Sequence, residues 1–187
     1  YRTTDEAHNM IRVGEEIAAV LEQAGFSVLH DTTLYDYPSY TGAYDRSLAG
    51  VQALLEQYPT IRVVMDVHRD ALAGEDGTVY KTAAQLDGEK SAQVMLVIGS
   101  NDNGLSHDNW RENLTLAVHL QQRLNQDWPT LARPISLRAG RYNQQLTMGS
   151  ILVEVGSHGN TLSEALTAAR HFAQSAAEVL GELGGRS

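Results

Sequence analysis

Three stretches of the sequence, residues 61–67, 94–98 and 151–155, are nearly continuous apolar runs rich in Val, Ile and Leu. A strand with one wet face alternates apolar and polar side chains. Unbroken runs of this length belong to strands covered on both faces, as in parallel sheets packed between helices. The intervening sequence agrees. Met10, Val13, Ile17, Val20 and Leu21 recur at helical spacing within 6–24, and Gly25 is placed to end that helix. Leu48, Val51, Leu54 and Leu55 mark one face of a second helix over 46–57, which stops before Pro59. Leu114, Leu116, Ala117, Leu120 and Leu124 mark a third over 109–125. A fourth covers 161–183, where Thr161 and Glu164 have the spacing of a capping box. Residues 26–29 read as a further short strand, and 71–90 as a Gly-, Asp- and Thr-rich connection with room for a hairpin at Asp76-Gly77. The expected architecture is α/β: a mainly parallel central sheet flanked by helices on both faces, in one domain spanning 1–187.

Charge and composition remove several functions. A net charge of −9 opposes any chain-wide grip on nucleic acid or anionic lipid. The chain has no cysteine, so disulfides, thiolate metal sites and cysteine nucleophiles are excluded. No Gly-x-Gly-x-x-Gly, phosphate-binding Gly-x-x-x-x-Gly-Lys-Ser/Thr, Gly-x-Ser-x-Gly or His-Glu-x-x-His occurs. No run approaches the ~20 apolar residues of a membrane span.

Ligands of open α/β sheets gather at the carboxyl ends of strands, and two such ends here carry chemistry. In Asp66-Val67-His68-Arg69-Asp70, alternation points Asp66, His68 and Asp70 one way and Arg69 the other. An imidazole flanked by carboxylates suits a metal ligand oriented by an acceptor. The same pentapeptide also reads as a plain capped strand end with Arg69 paired to Asp66 or Asp70. In Leu152-Val153-Glu154-Val155-Gly156, Glu154 interrupts a buried run. Burying an unpaired carboxylate costs several kcal/mol, so either a cation compensates it or its pKa rises, as in catalytic acids and bases. The compensating alternative is an ion pair to Arg138 or Arg141. A third polar segment, Thr3 to Asn9, holds Asp5, Glu6 and His8 at a helix start, where acidic residues also simply complement the helix dipole. Residues 34–44 hold four tyrosines, with Pro38 and Gly42, and have no periodicity. They read as a loop, either packed or serving as a binding wall.

These segments stand in the order of a known family. Residues 9–15 (Asn-Met-Ile-Arg-Val-Gly-Glu), His30-Asp31-Thr32-Thr33 and residues 36–40 (Asp-Tyr-Pro-Ser-Tyr) come first. Arg46-Ser47-Leu48, residues 66–70, residues 152–156 and Asn160-Thr161-Leu162 follow. From about Thr3 to Ala173 the chain closely resembles the stage II sporulation protein P family of endospore-forming bacteria, itself similar to zinc-dependent N-acetylmuramoyl-L-alanine amidases. The resemblance implies an amidase-like domain and a peptidoglycan hydrolase acting during engulfment. It would cut the amide between N-acetylmuramic acid and L-alanine, and stem-peptide cross-links as well. It implies Zn2+, with His68 as a ligand, Asp5 as a second (Glu6 or His8 as fallbacks) and Glu154 assisting the attacking water.

Arg69 and Tyr40 are the candidate substrate contacts. The implied partners are peptidoglycan and stage II sporulation proteins D and M, at an extracytoplasmic site on the engulfing septum. The family's first zinc histidine and first strand fall before Tyr1, where a membrane anchor is also expected. A non-catalytic peptidoglycan-binding scaffold and a different zinc exopeptidase-type hydrolase are the competing expectations.

Overall fold

The runs at 94–98 and 151–155 form the two central strands of a four-stranded sheet in a computed structural model that describes residues 3–185. The run at 61–67 leads into an edge strand whose residues are only half-buried. The strands are β1 (Val64–Asp70), β2 (Ala84–Leu86), β3 (Glu89–Ser91), β4 (Val94–Gly99), β5 (Ser136–Arg138) and β6 (Ser150–Ser157). The helices are α1 (Met10–Gln23), α2 (Ala43–Gln57), α3 (Trp110–Asp127) and α4 (Leu162–Leu183). The central order is β1-β6-β4-β5, and β2 and β3 form a separate hairpin. β1 runs parallel to β6 and β5 parallel to β4, as the runs imply, while β4 and β6 meet antiparallel. Periodicity cannot register that one reversed seam, because a strand buried on both faces looks alike in either direction.

The helices divide unequally between the faces. Val94, Leu96 and Ile98 of β4 and Ile151, Val153 and Val155 of β6 point into a core closed by α1, α3 and α4. α4 lies in the middle of that layer and touches both other helices. Its buried stripe of Ala165, Ala168, Ala169, Ala173 and Ala176 permits the close approach, with Phe172 wholly buried. The opposite face offers only Met95, Val97 and Leu152, covered by Tyr142. There α2, which buries no residue, contributes its first turn through Tyr44, whose ring meets Tyr142 at 6.0 Å.

Local chemistry explains the boundaries. The Asn9 side chain accepts from the Ile11 N–H at 2.8 Å and starts α1, which ends with the Gly25 and Phe26 N–H groups on Glu22 and Leu21 carbonyls. α2 begins at Ala43, before the expected 46, because its first turn carries Tyr44 and Asp45 rather than periodic apolar residues. Residues 26–29 belong to no named strand, although Phe26 and Val28 do pack on the core. Asp76-Gly77 turns inside a single bridge between Ala73 and Val79, and the laddered hairpin forms instead around Asp87-Gly88, both at positive φ. No helix among the described residues is long and apolar enough to cross a membrane.

The expected capping box is present at α4, and Glu164 does more than cap. Its carboxylate accepts from Thr161 N–H at 3.1 Å, Asn160 Nδ2 at 2.9 Å and Lys81 Nζ at 2.6 Å, which tie the 80–82 segment to the helix start. The Lys81 bond leads the interactions that pull its pKa down to about 2. A depressed carboxylate contributes stability above its unfolded value of 4.5 and loses it as pH falls toward 2. Urea unfolding should therefore show wild-type stability declining across that window. Glu164→Gln should lack this decline and lose on the order of 1 kcal/mol at pH 7.

Candidate active site

β1 and β6 are parallel neighbours, so their two chemically loaded ends lie side by side. Asp66 is paired with Leu152, and His68 with Glu154. Alternation puts Asp66, His68 and Glu154 on the face that carries Leu152, the thinly covered one. Beyond this pair the register slips: Asp70 is opposite Ser157, with the extra residue on β6 at Gly156 (φ +68°). A Cβ there would come within 2.8 Å of Ala92, so only glycine makes this bulge. Bulges are common beside functional sites, where they re-aim side chains, and this one shifts the register just past Glu154.

His68 Nε2 lies 2.9 Å from Asp66 Oδ1, with both side chains about two-fifths exposed. Burial favours the neutral ring, but the Asp66 hydrogen bond and the charges of Asp66, Glu154 and Asp36 prevail and hold its pKa above the ordinary value. Glu154 is the reverse case. Its Oε2 is shielded from solvent and has no hydrogen-bond partner among the described residues. Burial pushes its pKa up to about 7; the His68 and Arg133 charges oppose the rise, and Asp70 and Asp66 add to it. The ion pairs expected to neutralise it do not form among the described residues. Arg138 bonds Ser136, Arg141 bonds the Ser106 carbonyl, and Arg133 is taken by Asp70 at 2.8 Å. At the end of β1, Asp66 pairs with His68 and Asp70 with Arg133.

Tyr44, one of four candidate wall tyrosines, stands nearest this centre. Burial, followed by the charges of Asp66, Tyr40, Tyr142 and Glu154, drives its phenol pKa up, so it stays protonated. Arg133 was not foreseeable, because its pairing joins the end of β1 to a distant loop. Asp5 sits elsewhere in the hydrogen-bond network. It caps a short 3-10 turn, Glu6–His8, by accepting from Ala7 N–H at 3.1 Å, and it bonds His8 Nδ1 at 2.8 Å. That bond and the Ala7 bond lower its pKa. Asp5, Glu6 and His8 are all exposed, and no hydrogen bond or ion pair among the described residues joins them to His68. Other motif residues hold the frame: Asn9 caps α1, the His30 ring closes on Gly14, and Asn160 links residues 82, 157 and 164.

The unpartnered Glu154 oxygen and the oriented His68 ring are the donor types of a hydrolytic metal centre. Three protein ligands are usual for catalytic zinc. Among the described residues no three His, Asp or Glu side chains are disposed to hold a metal ion, so these residues alone do not complete such a site.

This fold has solved counterparts, and three of them are N-acetylmuramoyl-L-alanine amidases. The CwlD amidase from Clostridioides difficile, solved in complex with the GerS lipoprotein, is 15% identical with a TM-score of 0.59, over 100% of this chain and 92% of that one. The catalytic domain of CwlV from Bacillus (Paenibacillus) polymyxa var. colistinus is 11% identical with a TM-score of 0.55, over 95% and 83%. AmiC2 of Nostoc punctiforme is 15% identical with a TM-score of 0.53, over 93% and 81%.

Sequence narrows the class further. The family model of stage II sporulation protein P matches residues 1–177, and the chain belongs to that family. Stage II sporulation protein P of Bacillus subtilis (strain 168) is 28% identical over 188 residues. The match covers 94% of this chain and 43% of the relative, so the chain spans less than half of the relative's length.

A carboxyl whose pKa is raised contributes stability below its unfolded value of 4.5 and loses it as pH rises through about 7. In metal-free protein, Glu154→Gln removes that loss. Denaturant titrations should find the variant more stable than wild type at pH 8, by on the order of 2 kcal/mol, and nearly matched at pH 5. An equal difference at both pH values would mean the carboxyl is not buried in this way.

Proposed function

We propose that this domain is a peptidoglycan hydrolase of sporulation, adding water across the amide between N-acetylmuramic acid and L-alanine, with stem-peptide cross-links as a second target. The observation that carries the reading is Glu154, one of whose carboxyl oxygens is shielded and has no hydrogen-bond partner among the described residues, in register with His68 on an accessible sheet face. Family membership and the amidase fold support the substrate class. A pKa near 7 suits a group that must both accept and return a proton at neutral pH. Glu154 takes the proton of the attacking water as the C–O bond forms. It then delivers that proton to the amide nitrogen as the C–N bond breaks, leaving a carboxylic acid and a free amine. Asp66 fixes the His68 ring, and the protonated Tyr44 phenol lines the same face as a donor.

Zinc is the metal we assign, with His68 and Asp5, or Glu6 or His8 in place of Asp5, among its ligands. Bound zinc brings the pKa of its water to about 7. Arg69, facing away from His68 by alternation, would hold a stem carboxylate, and Tyr40 a sugar face. The setting we assign is extracytoplasmic, at the engulfing septum, with an anchor outside this segment and stage II sporulation proteins D and M as partners.

The test is digestion of purified sacculi by the full-length protein, with products identified by mass. Free stems beginning with L-alanine are expected. Glu154→Gln should fold and bind sacculi but release stems at least about 100-fold more slowly, within the usual worth of acid–base assistance. Chelation, or His68→Ala, should abolish both bound zinc and release. Intact glycan with tightly bound wild-type protein would mean a scaffold, and split cross-links alone would mean an endopeptidase.

A further inference from the structure

The segment before α2 has no regular structure, yet one side chain braces it. Arg46 Nε donates to the Tyr35 carbonyl at 2.8 Å, Nη1 to the Thr41 carbonyl at 3.2 Å, and Nη2 to the Ser39 carbonyl. A planar guanidinium with its donors in a fixed fork can hold three carbonyls at once, whereas an ammonium cannot reproduce that geometry. A second brace lies behind it. Tyr35 Oη donates to Asp31 at 2.6 Å, and its ring lies so close to Gly50 that a Cβ there would come within 2.0 Å of the hydroxyl.

The braced segment borders the candidate centre. Asp36 is near enough for its charge to act on His68, and Tyr40 acts on Tyr44, which itself feels Asp66 and Glu154. On its outer side Tyr37 and Tyr40 are 62% and 59% exposed. Two large exposed rings on a braced loop beside a catalytic centre offer contact area at little entropic cost. Their surroundings select the ligand. Asp36 on this segment and Asp66 of β1 both act on His68, on a chain of net charge −9. Stem peptides carry free carboxylates that this field repels, whereas sugar rings whose lactyl carboxyls are amide-linked carry no charge.

Building on the hydrolase reading, we propose that residues 35–41 form a wall on which sugar rings of the glycan strand stack, with Tyr37 and Tyr40 as the stacking faces. Arg46 is the positioning residue that holds this wall in register with His68 and Glu154. It acts on the ligand only through the loop it braces.

Binding by full-length Glu154→Gln, which cannot turn the ligand over, separates this wall from catalysis. The probes are glycan strands stripped of peptides, with their lactyl carboxyls capped as amides so that the glycan is neutral, and, separately, free stem peptides, titrated by calorimetry. Tyr40→Ala and Arg46→Gln should each weaken glycan binding about tenfold or more and leave stem-peptide binding unchanged. The double variant should bind no worse than the weaker single one, because the two substitutions remove one contact. Arg46→Lys should recover part of the loss. Tyr37→Ala, a change of an exposed ring, keeps the test decisive if Arg46→Gln misfolds.

Undiminished glycan affinity in the tyrosine variants, additive losses, or binding of stem peptides alone would overturn the proposal. Wild-type digestion of sacculi without measurable binding of stripped glycan would sink the wall and leave the hydrolase intact. Glycan binding without digestion would do the opposite.

Discussion

The parallel, in-register pairing of β1 with β6 is the constraint on which the site depends. It sets His68 beside Glu154 although the two are far apart in the chain. It also carries Glu154 on a central strand flanked by β1 and β4, where water is scarce. A carboxylate in such a place normally acquires a cation. Here Arg133, the guanidinium whose charge reaches it, is bound to Asp70 instead. The fold thus leaves one acid under-solvated and unneutralised, at the cost in stability that such burial entails, and that condition lifts its pKa into the range of a proton carrier.

Uneven coverage of the sheet makes this arrangement usable. Three helices seal one face around an alanine-lined α4 and Phe172, and they supply most of the buried apolar surface. The other face keeps a patch of three apolar residues under Tyr142 and otherwise stays open beside the tyrosine-bearing segment. Stability and access are therefore handled on opposite sides of one sheet, with β6 contributing Ile151, Val153 and Val155 to the first and Leu152 and Glu154 to the second. The Gly156 bulge, held by the Gln93 carbonyl on its N–H at 2.8 Å, marks where the strand gives way to the Asn160 hub and α4.

Much of this was legible in the sequence, for identifiable reasons. The apolar runs, the capping box at Thr161 and a glutamate inside a buried strand each express a local rule, and each reappears in the structure. Non-local chemistry was hidden. Nothing in residues 94–98 encodes the antiparallel seam with β6, and nothing near Asp70 announces Arg133. The start of α2 was missed because the residues that open it serve Tyr142 and the loop carbonyls rather than an apolar stripe. At Asp5 the same side chain fits a helix cap and a metal ligand, and the structure displays its capping bonds to Ala7 and His8. Motif residues such as Asn9, Gly14, His30 and Asn160 turn out to build the frame around the site.

The proposed hydrolysis requires His68 and Glu154, in register on neighbouring strands, to serve one metal ion. Anomalous diffraction at the zinc edge, from crystals of the full-length protein grown with zinc, tests it most directly. The expected result is a zinc peak beside the His68 ring, on the sheet face that Glu154 shares. A peak remote from His68, or Glu154 turned onto Arg133, would contradict it.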